Sequence, residues 1–150
     1  MPTQAISPDQ ALRLDNQVCF ALYSASHAMS KAYKPHLDAL GLTYPQYVAM
    51  LVLWENDGLT VSEIGDRLFL DSGTLTPLLK RLEGAGYISR LRDTADERRV
   101  LIRLTGAGRK LKHKAQDIPA CMLENMQCSI RELADLTRQV QQLRDRLQAA

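Results

Sequence analysis

The most reactive side chains in this sequence are three thiols: Cys19, Cys121 and Cys128. A free thiol titrates at about 8.5, so at neutral pH only a minority is thiolate, and reactivity requires hydrogen-bond donors or positive charge nearby. Once oxidised to a sulfenic acid, a cysteine condenses with a second thiol that can reach it. Cys19 lies in NQVCFALY on the border of an apolar stripe, and the other two come about one hundred residues later. An isolated cysteine in such a stripe is more often a small core residue, so both readings stand at this point. An odd number of cysteines without C-x-x-C or Cys/His zinc spacing argues against a secreted disulfide framework. His27, His36 and His113 are scattered, so no metal site and no cofactor is implied.

The second chemical feature is charge. Net charge over the 150 residues is only +2, but it is unevenly spread. Between Lys80 and Lys114 there are eleven basic residues and four acidic ones (Glu83, Asp93, Asp96, Glu97), which leaves the remainder net acidic. A basic segment on an acidic body suits a polyanion. Hydrophobic residues at 45% and six prolines argue against disorder beyond MPTQAISPDQ. No run approaches the ~18 apolar residues of a membrane span and no signal segment begins the chain, so a cytoplasmic protein without membrane association is expected.

The elements that must position these groups are marked by Ser/Thr with Glu/Gln three residues later. This spacing lets a helix start satisfy its own orphan amides. Ser7-Pro8-Asp9-Gln10, Thr43-Tyr44-Pro45-Gln46 and Thr60-Val61-Ser62-Glu63 predict three helix starts. Leu14, Val18, Leu22, Ala25 and Met29 form the stripe of the first helix, and Pro35 and Gly41 should break or end the helical stretch beyond it. YPQYVAMLVLWEN is apolar nearly all round and predicts a buried central helix, closed by the turn Asn56-Asp57-Gly58. Next come a short helix from Thr60 to about Leu70, with Val61, Ile64 and Leu68 inward, and a second one capped by Asp71, ending at Gly84 or Gly86 and kinked at Pro77. YISRLR and VLIRLT alternate with period two around DTADERR and predict a hairpin. Helix resumes at Thr105. Leu133, Leu136, Val140, Leu143 and Leu147 form a final seam suited to pairing with a second chain, or to packing on the same one.

Helix, short helix, helix and basic hairpin is the winged helix-turn-helix order. The second helix of the pair enters the major groove, and the wing reaches a neighbouring minor groove. Ser72, Thr74 and Thr76 are therefore candidates for base or phosphate contacts, Lys80 and Arg81 for phosphates, and Arg98 and Arg99 for the wing tip. Asp96, two residues before Arg98, could hold its guanidinium in a fixed direction.

Residues 60–108, and DERRVLIRLTGAG within them through Asp96, Arg98, Leu104, Thr105 and Gly108, resemble the DNA-binding half of MarR-family transcription factors. The similarity extends roughly from Leu14 to the C-terminus. It implies a mainly α fold with a small β-hairpin wing. The lobe would span about residues 44–108 of a single domain, with dimerisation helices at about 8–40 and 109–150. The homodimer would bind a pseudo-palindromic double-stranded operator. LDNQVCFALYSASHAM, KAYKPHLDALGLTYPQYVAMLVLWE and LDSGTLTPLLKRLE are similar to the organic hydroperoxide sensing branch, OhrR. That resemblance makes Cys19 the peroxide-reactive thiol and Tyr33 and Tyr44 the phenols that hydrogen-bond to it. The apolar border of Val18, Phe20 and Leu22 would suit the carbon tail of an organic hydroperoxide. In the two-cysteine subgroup an intersubunit disulfide forms next; Cys121 is favoured as its second member, with Cys128 the alternative, and a cellular thiol would reverse it.

Three other functions compete with this one. A thiol peroxidase would consume peroxide catalytically, although no charged pair or redox motif accompanies Cys19. A MarR-type repressor released by a small aromatic ligand would respond without Cys19. A purely architectural DNA-binding protein would bind unrelated sequences equally.

Overall fold

The computed structural model describes residues 5–150. Ser7, Thr60, Asp71, Thr105 and Ser129 each start a helix with a side chain that accepts an amide of its first turn. At Ser7 and Thr60 the reciprocal bond from the third helical residue completes a capping box. The order is α1 (Pro8–Ala11), a 3-10 turn (Leu14–Asn16), α2 (Val18–Asp38), α3 (Tyr44–Glu55), β1 (Leu59–Thr60), α4 (Val61–Leu68), α5 (Ser72–Gly84), β2 (Ile88–Arg92), β3 (Val100–Leu104), α6 (Gly106–Ala115), α7 (Ile118–Met126) and α8 (Ile130–Ala149). The chain divides into two compact units, one running to Tyr44 and one from Pro45 to Ala150.

In the first unit the Ser7 signal produces only four helical residues. Amide side chains close that helix at once: Asn16 donates to the Gln10 carbonyl at 2.7 Å, and Gln17 to those of Ala11 and Arg13 at 2.6 and 2.9 Å. The long helix α2 comes next. It runs through Pro35, contrary to the break expected there. A proline deletes one helical hydrogen bond, and the bonds on either side carry the helix onward to Asp38. The chain turns at Gly41, whose φ of 70° lets the Leu42 amide return to the Leu37 carbonyl at 3.0 Å. The stripe of α2 is not core. Val18, Leu22, Ala25 and Met29 are all exposed, Val18 at 58%.

The second unit holds most of the core. Tyr47, Ala49, Met50, Val52 and Leu53 bury α3, as its all-round apolarity predicts. Met50, Leu53, Ile64, Leu75, Leu79, Leu82, Ile88 and Ile102 are fully enclosed. The hairpin β2/β3 pairs Ile88 with Leu104 and Arg92 with Val100. A third strand, unexpected from the sequence, adds Leu59 and Thr60 against Ile102 and Leu101 to give the antiparallel order β1-β3-β2. Two residues are too few to show a period. The turn before it is held by Asp57, whose Oδ1 accepts the amides of Gly58 and Leu104, both at 2.8 Å. Trp54 Nε1 donates to the Gly108 carbonyl at 3.0 Å, which ties the end of α3 to the start of α6.

α5 continues through Pro77. α7 begins at Ile118 with Pro119 in its first turn, where a missing amide proton costs nothing. α8 has no buried residue: Leu136, Val140 and Leu147 of its seam are exposed and Leu133 and Leu143 half-buried. Among the described residues no helix is long and apolar enough to cross a membrane.

Candidate functional site

The DNA-reading candidates gather on the second unit. Asp71 caps α5 by accepting the Thr74 amide at 2.7 Å. That amide, then the Thr74 hydroxyl, hold the Asp71 carboxyl below the ordinary range, with some opposition from burial and further help from the Gly73 amide. Ser72, Thr76 and Lys80, spaced by four, share one face of α5. Ser72, Thr74, Lys80 and Arg81 are exposed and Thr76 is half-buried.

The wing closes with the Asp93 amide donating to the Arg99 carbonyl at 2.8 Å and the Arg99 amide to that of Asp96 at 3.0 Å. Asp96 Oδ1 accepts the Arg98 amide at 3.1 Å, while the Arg98 Nε lies 3.6 Å away on a side chain 94% exposed. Asp96 therefore shapes the loop more than it restrains the guanidinium, because a pair so exposed contributes little. Arg99 lies between Glu63 at 3.7 Å and Asp93 at 4.0 Å. Between the start of α4, α5 and the wing runs a groove of about 630 Å³ lined by Thr60, Ser62, Glu63, Ser72, Thr76, Arg90, Arg98 and Arg99, among others. Arg90 and Glu63 are not legible in the sequence as part of this surface. The spacing from Thr60 marks Glu63 only as a capping residue, and its contact with Arg99, like that of Arg90 with Glu83, joins different elements.

Cys19 is the second residue of α2 and is exposed, with Val18 and Phe20 exposed beside it. The rings of Tyr33 and Tyr44 lie 5.0 Å apart at 50°. Tyr33 lies fourteen positions beyond Cys19 on the same unbroken helix, about 21 Å at ~1.5 Å per residue. The chain thus brings the two phenols together but not to its own thiol. Cys121, half-buried, lies in the first half of α7. Cys128 lies in the link between α7 and α8 and donates to the Met126 carbonyl at 3.3 Å. All three cysteines are free.

A capped recognition helix, a preceding short helix and a basic three-stranded wing define a winged-helix DNA-binding protein. Residues 31–115 match the family model described as transcriptional regulator SarA/Rot. The organic hydroperoxide resistance transcriptional regulator of Bacillus subtilis (strain 168) is 57% identical over 112 residues, 75% of this chain and 76% of that protein. The HTH-type transcriptional regulator TtmR of Methylorubrum extorquens (strain PA1) is 50% identical over 141 residues, 94% of this chain and 72% of its own. Among solved structures, reduced AbfR bound to DNA is 33% identical with a TM-score of 0.78, covering 94% of this chain and 99% of that one. AbfR, a Staphylococcus epidermidis protein, is also known with a disulfide formed; there the identity is 34% and the TM-score 0.62 over 94% of each chain. The chain belongs to the MarR-type winged-helix transcriptional regulators, in their organic hydroperoxide resistance branch. It is a DNA-binding regulator rather than an enzyme.

Proposed function

We propose that the protein is a homodimeric repressor that binds a pseudo-palindromic operator when reduced and releases it when an organic hydroperoxide oxidises Cys19. The observation that carries this reading is the placement of Cys19: exposed, on an apolar-bordered helix start, and about 21 Å along the same helix from the ring pair that would activate it. Only a second copy can bring Tyr33 and Tyr44 to the thiol. The uncovered apolar residues of α2 and α8 supply surface for that copy. On this reading residues about 8–40 and 109–150 dimerise, and about 44–108 form the DNA-binding lobe.

Phenolic donors stabilise the thiolate without adding charge. The thiolate attacks the terminal oxygen of the hydroperoxide, the O–O bond breaks, and the alkoxide leaves as an alcohol after taking a proton. Cys19 is then a sulfenic acid, which a thiol of the other subunit attacks, forming a disulfide and releasing water. Cys121 or Cys128 supplies that thiol. Two equivalents of a cellular thiol reverse the step: the first attacks the disulfide to form a mixed disulfide, and the second releases the protein thiol and leaves joined to the first as their own disulfide. Ser72, Thr74, Thr76, Lys80 and Arg81 face the major groove, and Arg98 and Arg99 the wing's groove. Both half-sites must be engaged at one helical repeat, so a modest displacement of one lobe lowers affinity steeply.

The test is operator binding by the reduced protein at fixed salt, before and after one equivalent of an organic hydroperoxide, with Cys19→Ser alongside. Loss of binding by the wild type only, reversed by dithiothreitol, is expected. A Cys19→Ser protein that still responds would show a ligand-released repressor, and multiple turnovers of peroxide a thiol peroxidase.

A further inference from the structure

β2 is an edge strand: in the order β1-β3-β2 it has one neighbour, and outward amides on an edge lack a strand to donate to. Arg90 stands at its centre, opposite the fully buried Ile102. Its amide donates to Glu83 Oε2 at 3.2 Å, and its Nε lies 3.3 Å from Glu83 Oε1. Glu83 belongs to the last turn of α5. One carboxylate of the recognition helix therefore engages both the main chain and the side chain of a wing residue. The Arg90 Nε is shielded from solvent and makes no hydrogen bond, so the charge of Glu83 is what offsets its burial. The wing's remaining ionic ties are looser. Arg99 stands 3.7 Å from Glu63 on a side chain 54% exposed, and Arg98 is almost fully exposed.

We propose that Glu83 is a positioning residue for operator binding: through Arg90 it fixes the angle between the recognition helix and the wing. The proposal rests on the reading of α5 and the wing as the DNA-contacting elements. Its sign separates it from simple electrostatics. A carboxylate on the DNA-facing helix repels phosphate, so on charge alone its removal tightens binding to every duplex. Positioning works the other way for the operator, because two elements must reach their grooves together, and does nothing for unrelated DNA.

The experiment measures affinity of the full-length reduced protein, at fixed salt, for its promoter-proximal operator and for a scrambled duplex of equal length. The variants are Glu83→Ala, Glu83→Gln, Arg90→Met and the double Glu83→Ala/Arg90→Met, each with a thermal melt. Glu83→Ala is expected to lose roughly tenfold on the operator while binding the scrambled duplex as well as or better than the wild type. Glu83→Gln keeps an oxygen for the Arg90 amide and should recover part of the loss. The double variant should lose no more than the worse single one. Should the alanine variant not fold, Glu83→Gln and Arg90→Met decide by the same ratio. Affinities that rise together on both duplexes, an unchanged ratio, or losses that multiply in the double variant would each overturn the clamp. A wild type without preference for the operator would overturn the DNA-contact reading and this proposal with it.

Discussion

The winged lobe and the thiol-bearing helix are built on opposite terms. In the lobe, Ile64, Leu75, Leu79, Ile88 and Ile102 are enclosed by the same chain, and Asp57 and Glu83 close their hydrogen bonds within it. Along α2, by contrast, Val18, Phe20, Leu22, Tyr23 and Met29 are exposed, and the thiol lies far from the phenols proposed to serve it. A DNA-reading element gains from being rigid in one chain, since its side chains must hold fixed offsets to base edges. On the proposed reading, a sensor completed by a second chain would tie its chemistry to the dimer geometry that operator binding also needs.

The strongest way to break this contrast is to truncate an apolar side chain in each region. Ile64→Ala in the lobe is expected to cost about 2–5 kcal/mol of unfolding free energy by denaturant titration. Leu22→Ala on α2 should leave that unfolding within about 0.5 kcal/mol in dilute protein, where the side chain is exposed, and, on the proposed dimeric reading, should cost stability only as concentration rises to where the wild type pairs. A Leu22→Ala protein that lost as much as Ile64→Ala, at all concentrations, would mean that α2 is core of the single chain.

Smaller, and confined to the lobe, is Gly108→Ala. A β-carbon there would collide with the Tyr87 backbone carbonyl, and main chain cannot move aside as a flexible side chain can. A loss of about 1–3 kcal/mol is expected. Trp54, the one tryptophan, donates to the Gly108 carbonyl, so its emission should shift in the folded variant. Unaltered stability and emission would show that α6 can slide at its start.

How far the sequence can be read depends on where each residue's partner lies. Ser7, Thr60 and Asp71 meet their partners three residues away, and these caps are legible from spacing alone. The hairpin is equally plain, because its period runs for five residues on each strand. β1 is not, since it exists only by pairing with β3. Pro35 misleads for a related reason: proline weakens a helix locally, and a long helix on both sides outweighs the lost bond. In the site, the basic residues are legible as a cluster, while Glu83 looks like one more surface charge until the strand at Arg90 meets it. Phe69 shows the same limit. It ends α4 with φ at 56° and stacks under the Arg144 guanidinium 4.1 Å away, a contact between residues far apart in the chain.

The sensor side of the contrast is sharpened by Tyr33→Phe. The substitution keeps the ring that packs against Tyr44 at 5.0 Å and deletes the hydroxyl. If that hydroxyl donates to the thiolate across the dimer, the second-order rate of Cys19 oxidation by an organic hydroperoxide should fall about tenfold, the share of a charge-assisted hydrogen bond felt in the transition state. Operator affinity of the reduced protein should not change. An unaltered rate would remove Tyr33 from the thiol's surroundings, whereas a fall in both rate and operator affinity would mean that it acts on the dimer instead.

The smallest effect belongs to Asp71, where the lobe's self-sufficiency reaches the DNA. Its carboxyl is held below the ordinary value mainly by the Thr74 amide and hydroxyl, so the folded state binds that proton less readily than the unfolded chain does. The cap's contribution is therefore full above the unfolded pKa of about 3.9 and is lost as pH falls through the lowered folded value. Asp71→Asn keeps an oxygen for the Thr74 amide but does not titrate. The wild type's advantage in melting temperature over this variant should be a few degrees at pH 6 and should shrink steadily toward pH 3. Raising salt should reduce it too, because the site is open to solvent. A gap that stayed constant with pH would assign the cap's value to geometry alone, and one that widened in acid would contradict the direction of the shift.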